Sequence, residues 1–284
     1  METTISVPVR NMRLNEAKAA AATASPGLCG EQAMREICDF LSDYSVWLWG
    51  CGATCIRLEK NVKRMAEAFG VSADMSIMPS HVHTTVWNSD KTSSVCIVRR
   101  IHKSAISFNI NTQLSKLSWD VAEGRCRLSQ AKAEFELIKR TAPANPRHVL
   151  VLASLANASF CRLFGGDLVS MLIVFVSTLC GYRIKQIMID DKADVRLVFL
   201  CSSFISAVMS ACGHLFGLGT TPEIALGSSV LYLIPGIPYI NSVSDMLDGH
   251  YLCAFSRLMD ALVLTVCLST GLSAGLLLMN ISMF

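Results

Sequence analysis

After Arg147 this chain nearly runs out of charge. Residues 148–284 hold 6 of its 25 Lys and Arg and 8 of its 22 Asp and Glu. A soluble domain of that length carries about a quarter of its residues charged, so a soluble C-terminal half is excluded. Catalytic groupings are missing too: there is no Ser/His/Asp constellation, phosphate loop or dinucleotide fingerprint. An enzyme is therefore the weakest reading. None of the 12 cysteines forms a CxxC pair, and the closest two, Cys51 and Cys55, stand at helical spacing. No disulfide framework is expected, and a reducing compartment suits the N-terminal half. Cys161, Cys180, Cys201, Cys212, Cys253 and Cys267 read as small hydrophobes. A net charge of +3, with no basic patch interleaved with aromatics, gives no reason to expect nucleic acid.

What is present is apolar. The chain is 52% hydrophobic with a mean hydropathy of +0.44. Residues 1–30 do not read as a signal peptide, because Ala19–Ala24 is short and Glu16 and Lys18 interrupt the would-be core. A disordered tail is expected there. Residues 31–140 read as an α+β domain. Helices are predicted over Glu31–Trp49, with Met34, Ile37, Cys38 and Leu41 on one face, and over Thr54–Phe69, stopped by Gly70. Three short strands follow at Met75–Met78, His81–Trp87 and Ser94–Ile101. Two further helices span about Asn109–Glu123 and Ser129–Lys139, with Ser129 a candidate cap. Residues 141–147 carry two prolines and form the linker.

Residues 148–284 hold charge-free runs at Val149–Cys161, Leu168–Tyr182, Leu197–Pro222, Ile224–Ser244 and Ala261–Phe284. A bilayer-spanning helix needs roughly 20 apolar residues. The last three runs qualify outright, and the first two lengthen if Arg162, Arg183 and Lys185 snorkel. Five transmembrane helices after a cytoplasmic α+β domain is the expected fold. Basic residues near the span ends put the N-terminus in the cytoplasm, and an odd span count puts Phe284 outside.

Within the fourth run stands Leu233-Ile234-Pro235-Gly236-Ile237-Pro238-Tyr239. Pro235 and Pro238 donate no amide hydrogen, so the carbonyls of Leu231 and Ile234 lose their helical partners. Such backbone survives at membrane depth only where protein buries it or water lines it. A helix restarting at Pro238 would aim the amides of Tyr239 and Ile240 into the gap, which favours an anion such as a carboxylate. A plain proline kink between packed helices is the competing reading. Asn241, Ser244, Asp245 and Asp248 then share one helical face. Acidic groups this close to a span are costly and point to function. The alternative places Asp245 and Asp248 in water at the cytoplasmic mouth. The candidate substrate-binding residues are Pro235, Gly236, Pro238, Tyr239 and Asn241, and the candidate proton-coupling residues are Asp245, Asp248 and Asp260.

Other features favour packing. Arg257 and Asp260 suit an i,i+3 ion pair, and Arg162 and Asp167 a surface pair across the first turn. His214 is expected to be packed and hydrogen-bonded. Ser202, Ser206 and Ser210, with the Gly271/Gly275 pair, mark seams where helices approach closely. His81 and His83 share a strand face without a convincing third ligand, so no metal and no other cofactor is expected.

Leu233-Ile234-Pro235-Gly236, Asn241, Asp245 and Asp248-Gly249-His250 resemble the signature of the threonine/serine exporter family. Gly52-Ala53-Thr54-Cys55-Ile56-Arg57-Leu58-Glu59 resembles the family's G-A-x-T-x-R-x-E block, with Cys55 in place of Thr. Leu163-Phe164-Gly165-Gly166-Asp167 resembles its first membrane turn. Tyr251-Leu252-Cys253-Ala254 departs from the family by lacking a Gly. The resemblance covers about residues 31–284. With five spans rather than about ten, the chain resembles the larger subunit of the split, two-component succinate-exporter form. That implies a second small integral membrane subunit of four or five spans in the bacterial inner membrane. It also implies a small carboxylate cargo, succinate-like or threonine/serine, exported with protons. A membrane-anchored sensor or binding protein, and a non-pore scaffold subunit, are the rival functions.

Overall fold

The computed structural model describes residues 28–101, 106–142 and 144–281. The expected tail therefore lies, up to residue 27, outside the described residues. The chain divides into two compact units. One holds the described residues as far as Thr141 together with Ile240–Arg257; the other holds Ala142–Tyr239 and the residues from Leu258 onward.

The first unit is built on α1 (Leu28–Gly50), α2 (Cys55–Ala68), the strands β1 (Ser72–Ile77), β2 (His81–Trp87) and β3 (Ser94–Arg100), α3 (Phe108–Ala122) and α4 (Leu128–Lys139). The expected stripe of α1 is its buried face: Met34, Ile37, Cys38, Leu41, Tyr44 and Leu48 recur at three- and four-residue steps. Cys55, Leu58, Val62, Met65 and Ala66 do the same on α2. The strands form an antiparallel sheet in the order β1-β2-β3. Central β2 alternates, with Val82, Thr84 and Val86 buried. β1 starts at Ser72, earlier than its composition predicts, because Ser72 pairs with Trp87 across the ladder. The cap of α4 is not Ser129. Gln130 Oε1 reaches back to accept the Arg127 amide at 3.0 Å. In the core, Tyr44 donates to the Leu114 carbonyl at 2.9 Å and accepts from Asn61 at 3.0 Å. Burial pushes its hydroxyl well above the usual tyrosine range.

The second unit contains α5 (Pro146–Leu163), α6 (Leu168–Asp190), α7 (Val195–Leu215), α8 (Pro222–Ser228) and a 3-10 turn at Leu231–Leu233. Two further helices, α9 (Gly236–Leu247) and α10 (Tyr251–Leu278), run across the division between the units. Polar caps set three of the starts. Asn145, Asp167 and Asp194 accept from Arg147, Ser170 and Arg196 at 3.0, 2.7 and 2.8 Å. Gly166 makes the α5–α6 turn possible, since a Cβ there would stand 2.5 Å from Cys161 Sγ. Asp167 does not pair with Arg162, which donates instead to the Gly166 carbonyl at 3.1 Å. Its oxygens also take the Thr220 amide at 2.8 Å, pinning the α7–α8 loop. Hydrogen bonds from the Ser170 side chain and from the Thr220 and Ser170 amides hold the Asp167 carboxyl well below the usual range.

Among the described residues α6, α7 and α10 are each long and apolar enough to cross a membrane. The Pro222–Leu233 and Gly236–Leu247 segments make a fourth candidate span, broken and bent by 61°. α5, which carries Arg147, His148 and Arg162, is not among these. The expected small-residue seams are close backbone approaches. A Cβ on Gly271 would lie 2.3 Å from the Leu200 carbonyl oxygen, and one on Gly275 2.7 Å from Ala207 Cβ.

Candidate functional site

The break in the fourth candidate span satisfies itself locally. Ile234 donates to the Leu231 carbonyl at 3.1 Å, and Gly236 donates to the Ile234 carbonyl at 2.8 Å. The carbonyls that the prolines strand are thereby reused in tight turns. The helix restarts at Gly236, not Pro238, so Pro238 falls in the first turn, where its missing amide costs nothing. The Tyr239 amide is already engaged to Pro235 at 3.4 Å, and the expected pair of free amides at Tyr239 and Ile240 is not formed. Thr265 uses its hydroxyl hydrogen on Ala261, so Tyr239 donates to Thr265 Oγ1 at 2.9 Å. Pro235 is buried, and Gly236, Pro238 and Tyr239 are half-buried.

The polar face that follows belongs to the first compact unit, and there the sequence signals converge. Gly50 ends α1, and Gly52 turns the chain with φ +91°, backing on Ile106. That turn presents its backbone outward, and three buried side chains take it up. Asn241 donates to the Gly52 carbonyl at 2.8 Å. Arg257 donates to the Ala53 carbonyl at 2.7 Å. Asp245 Oδ1 accepts the Cys55 amide at 2.8 Å, which caps α2 from a position 190 residues away. The other Asp245 oxygen lies 3.0 Å from Arg257 Nε, with Asp245 fully buried and the Arg257 side chain 10% exposed. The Arg257 guanidinium also covers the Trp49 ring at 4.5 Å.

Cys55 belongs to this set. The Cys253 thiol against it, burial, and the Asp245 carboxylate hold its thiol well above the usual range. An inert, space-filling thiol is the consequence. Cys253 in turn donates to the Ile77 carbonyl at 3.4 Å. The two departures from the family pattern, Cys55 and the Cys253 segment, therefore face one another. Ser242 donates to the Ala254 carbonyl at 2.7 Å and ties the α9–α10 hairpin.

Arg257 is buried, with Asp245 and the Ala53 carbonyl as partners. Asp248 and Asp260 are exposed. One expectation fails in part: His214 is packed, but its Nδ1 is buried without a hydrogen-bond partner. Arg257 is the member of this buried set that the sequence reading did not place there. Its signal was a lone cation opening an otherwise apolar helix, with Trp49 just ahead of the Gly52 turn. Among the described residues no group of three His, Cys, Asp or Glu side chains is placed to hold a metal ion.

The two blocks that carry the family resemblance, Gly52–Glu59 and Asn241–His250, are thus hydrogen-bonded to each other. Residues 39–279 match the family model described as "Putative threonine/serine exporter". The chain belongs to the threonine/serine exporter family. It is 27% identical over 232 residues to the "Probable succinate transporter subunit YjjP" of Escherichia coli, covering 79% of this chain and 88% of that protein. The protein of the same name from Klebsiella aerogenes is 26% identical over 231 residues, covering 80% and 88%. The "Probable threonine/serine exporter" of Mycobacterium tuberculosis is 24% identical over 192 residues, covering 65% of this chain and 35% of that protein. No solved structure matches the chain. These exporter-family relatives are named as transporters or exporters, and this chain, with its apolar helices, is a membrane protein of that kind rather than an enzyme.

Proposed function

We propose that this chain is one subunit of a two-component secondary transporter that exports small carboxylate-bearing metabolites, succinate-like or threonine/serine, in exchange for protons. Its partner is a second small integral membrane subunit of four or five spans. The membrane part has five spans, α5 being the first and the broken α8–α9 segment the fourth, and the N-terminal unit is cytoplasmic. The relatives named as succinate transporter subunits, matched over 88% of their length, support the two-component reading.

The observation that carries the mechanism is the buried Asn241–Asp245–Arg257 set on the Gly52 turn. Asp245 holds both the α2 amide and the Arg257 guanidinium. A proton arriving on Asp245 cancels its charge, weakens both bonds and frees Arg257 and the Gly52 turn. Asn241 holds the same turn by a neutral hydrogen bond that protons do not affect, so it keeps the register while Asp245 switches. Pro235, Gly236, Pro238 and Tyr239 supply the break beside which the cargo passes. Asp248 and Asp260, both exposed, exchange protons with water.

The test is metabolite efflux from cells expressing the chain with its neighbour-encoded membrane partner. Succinate or threonine efflux that requires both chains, and that Asp245→Asn abolishes while the protein still reaches the membrane, supports the reading. Unchanged efflux in Asp245→Asn removes Asp245 from the mechanism, and absence of carboxylate efflux from the wild-type pair removes the function.

A further inference from the structure

The second unit holds a buried polar seam apart from the Gly52 turn. On α6, Thr178, Gly181 and Lys185 recur at helical spacing and share one face. At Gly181, α7 and the segment beyond α8 both come close to α6. A Cβ there would stand 2.0 Å from Ser206 Oγ and 2.2 Å from the Tyr232 hydroxyl, with the Ser202 carbonyl at 3.0 Å. Ser206 donates to the Ser177 carbonyl at 3.3 Å, so the Tyr232 hydroxyl donates to Ser206 Oγ at 2.9 Å. One turn further along α6 stands Lys185. Its ammonium lies 5.4 Å from the Tyr182 ring and 5.2 Å from the Phe199 ring, on the α7 side of the helix. The Tyr182 ring packs against that of Tyr232 at 5.8 Å.

Two features here are not explained by packing. Lys185 makes no ion pair among the described residues, although it sits half-buried between rings rather than reaching out to solvent. Ser202, completely buried on the α7 face that carries Phe199 and Ser206, has a hydroxyl with no hydrogen-bond partner. A buried unpaired hydroxyl costs about 1–3 kcal/mol, and a cation without a counter-charge inside an apolar unit costs more. Both groups are donors, and they lie on facing helices about one turn apart. A lysine side chain on a helix leans toward the N-terminal turn, here the turn of Gly181, against which Ser202 and Tyr232 pack.

We propose that this seam between α6 and α7 is a carboxylate-binding site, in which the Lys185 ammonium pairs with the anion and the Ser202 hydroxyl orients it. The anion supplies what the seam lacks: a counter-charge for Lys185 and an acceptor for Ser202. Tyr232, packed against Gly181, stands in the interrupted segment just before Pro235, so the site adjoins the break. One turn beyond Gly181, Asn157 donates to Thr178 Oγ1 at 2.6 Å and to the Ser228 carbonyl at 3.1 Å, while its own amide oxygen is buried without a partner. Unsatisfied polar groups therefore continue along the seam past the anion. This site rests on the cargo class proposed above, and it moves the point of charge recognition from the Pro238 amides to Lys185.

Two readouts on the full chain, co-expressed with its membrane partner, test it: efflux from cells, and thermal stabilisation of the purified complex by succinate or L-threonine. Lys185→Gln should lower efflux at least tenfold and abolish the stabilisation, and Lys185→Arg should retain a third or more of both. Ser202→Ala removes an unpaired buried group, so a packing role predicts unchanged or raised melting temperature with full efflux. The proposed site predicts that same intact folding with several-fold weaker carboxylate binding. If Lys185→Gln and Ser202→Ala bind and export like the wild type, the site is overturned while the transporter reading stands. If the wild-type complex binds carboxylate through Lys185 but exports none, the site stands and the transporter reading falls. A purified wild-type complex that neither carboxylate stabilises overturns the site directly.

Discussion

The two compact units bury different kinds of polar group. The first buries a full charge pair, Asp245 and Arg257, beside the Cys55 amide, the Ala53 carbonyl and the Trp49 ring. The second buries neutral hydroxyls and amides, and Ser202, Ser210 and the Asn157 oxygen have no hydrogen-bond partner there. A buried charge that loses its partner costs more than a neutral group left unpaired.

Removing one member of the buried charge pair should have the largest effect. Arg257→Met leaves Asp245 buried and unpaired and should cost about 3–5 kcal/mol, read as a fall in the melting temperature of the purified protein. The double variant Arg257→Met, Asp245→Leu should recover much of that loss, because no charge is then stranded. Equal melting of the two variants would erase the distinction between the units.

Next comes the seam of the second unit. Gly181→Val forces a side chain against Ser206 and Tyr232 and should destabilise by about 1–3 kcal/mol through overpacking. Gly70→Ala offers a strain control, since Gly70 has open space around it but a φ of +74°.

Tyr44 probes neutral but fully partnered burial in the first unit. Tyr44→Phe strands the Leu114 carbonyl and Asn61 and should cost about 1–3 kcal/mol. Its pH dependence follows from the raised hydroxyl. The unfolded chain ionises near pH 10 while the folded one holds its proton. The wild type should therefore lose stability as pH climbs above about 10, and Tyr44→Phe should flatten that slope.

The smallest effect belongs to charge left at the surface. Arg99 pairs with both Asp39 and Asp43, yet the partners are 40–51% exposed. Arg99→Gln should change stability by no more than about 1 kcal/mol. A larger loss would show that burial is not what separates Arg257 from the other arginines.

Much of this could be read from the chain alone. Stripes at three- and four-residue steps located α1 and α2, alternation located β2, and the Pro235-Gly236-Ile237-Pro238 run located the break. These are local signals, written within a few residues. What escaped was non-local. Arg257 and Asp260 share one helix at i,i+3, a local pattern. That Arg257 also meets Asp245 and the Ala53 carbonyl, from another helix and from a turn 204 residues away, no local pattern announces. The extent of the first unit escaped for the same reason. The linker at 141–147 suggested a simple division, but Ile240–Arg257 packs with the N-terminal residues. The early start of β1 needed its partner strand, which three unremarkable residues, Ser72, Ala73 and Asp74, do not announce.

The cap of α2 also has a bearing on biogenesis. The carboxylate that completes this helix is encoded 190 residues downstream of the amide it accepts. At about 5–20 residues per second, a ribosome delivers it roughly 10–40 s after the helix itself emerges. During that interval the nascent N-terminal segment carries an open turn at Gly52 and an uncapped helix. A fragment ended at Thr141 never leaves that condition. The last part of this domain to be translated is thus the part that closes it, which ties completion of the domain to synthesis of the helices that enter the bilayer.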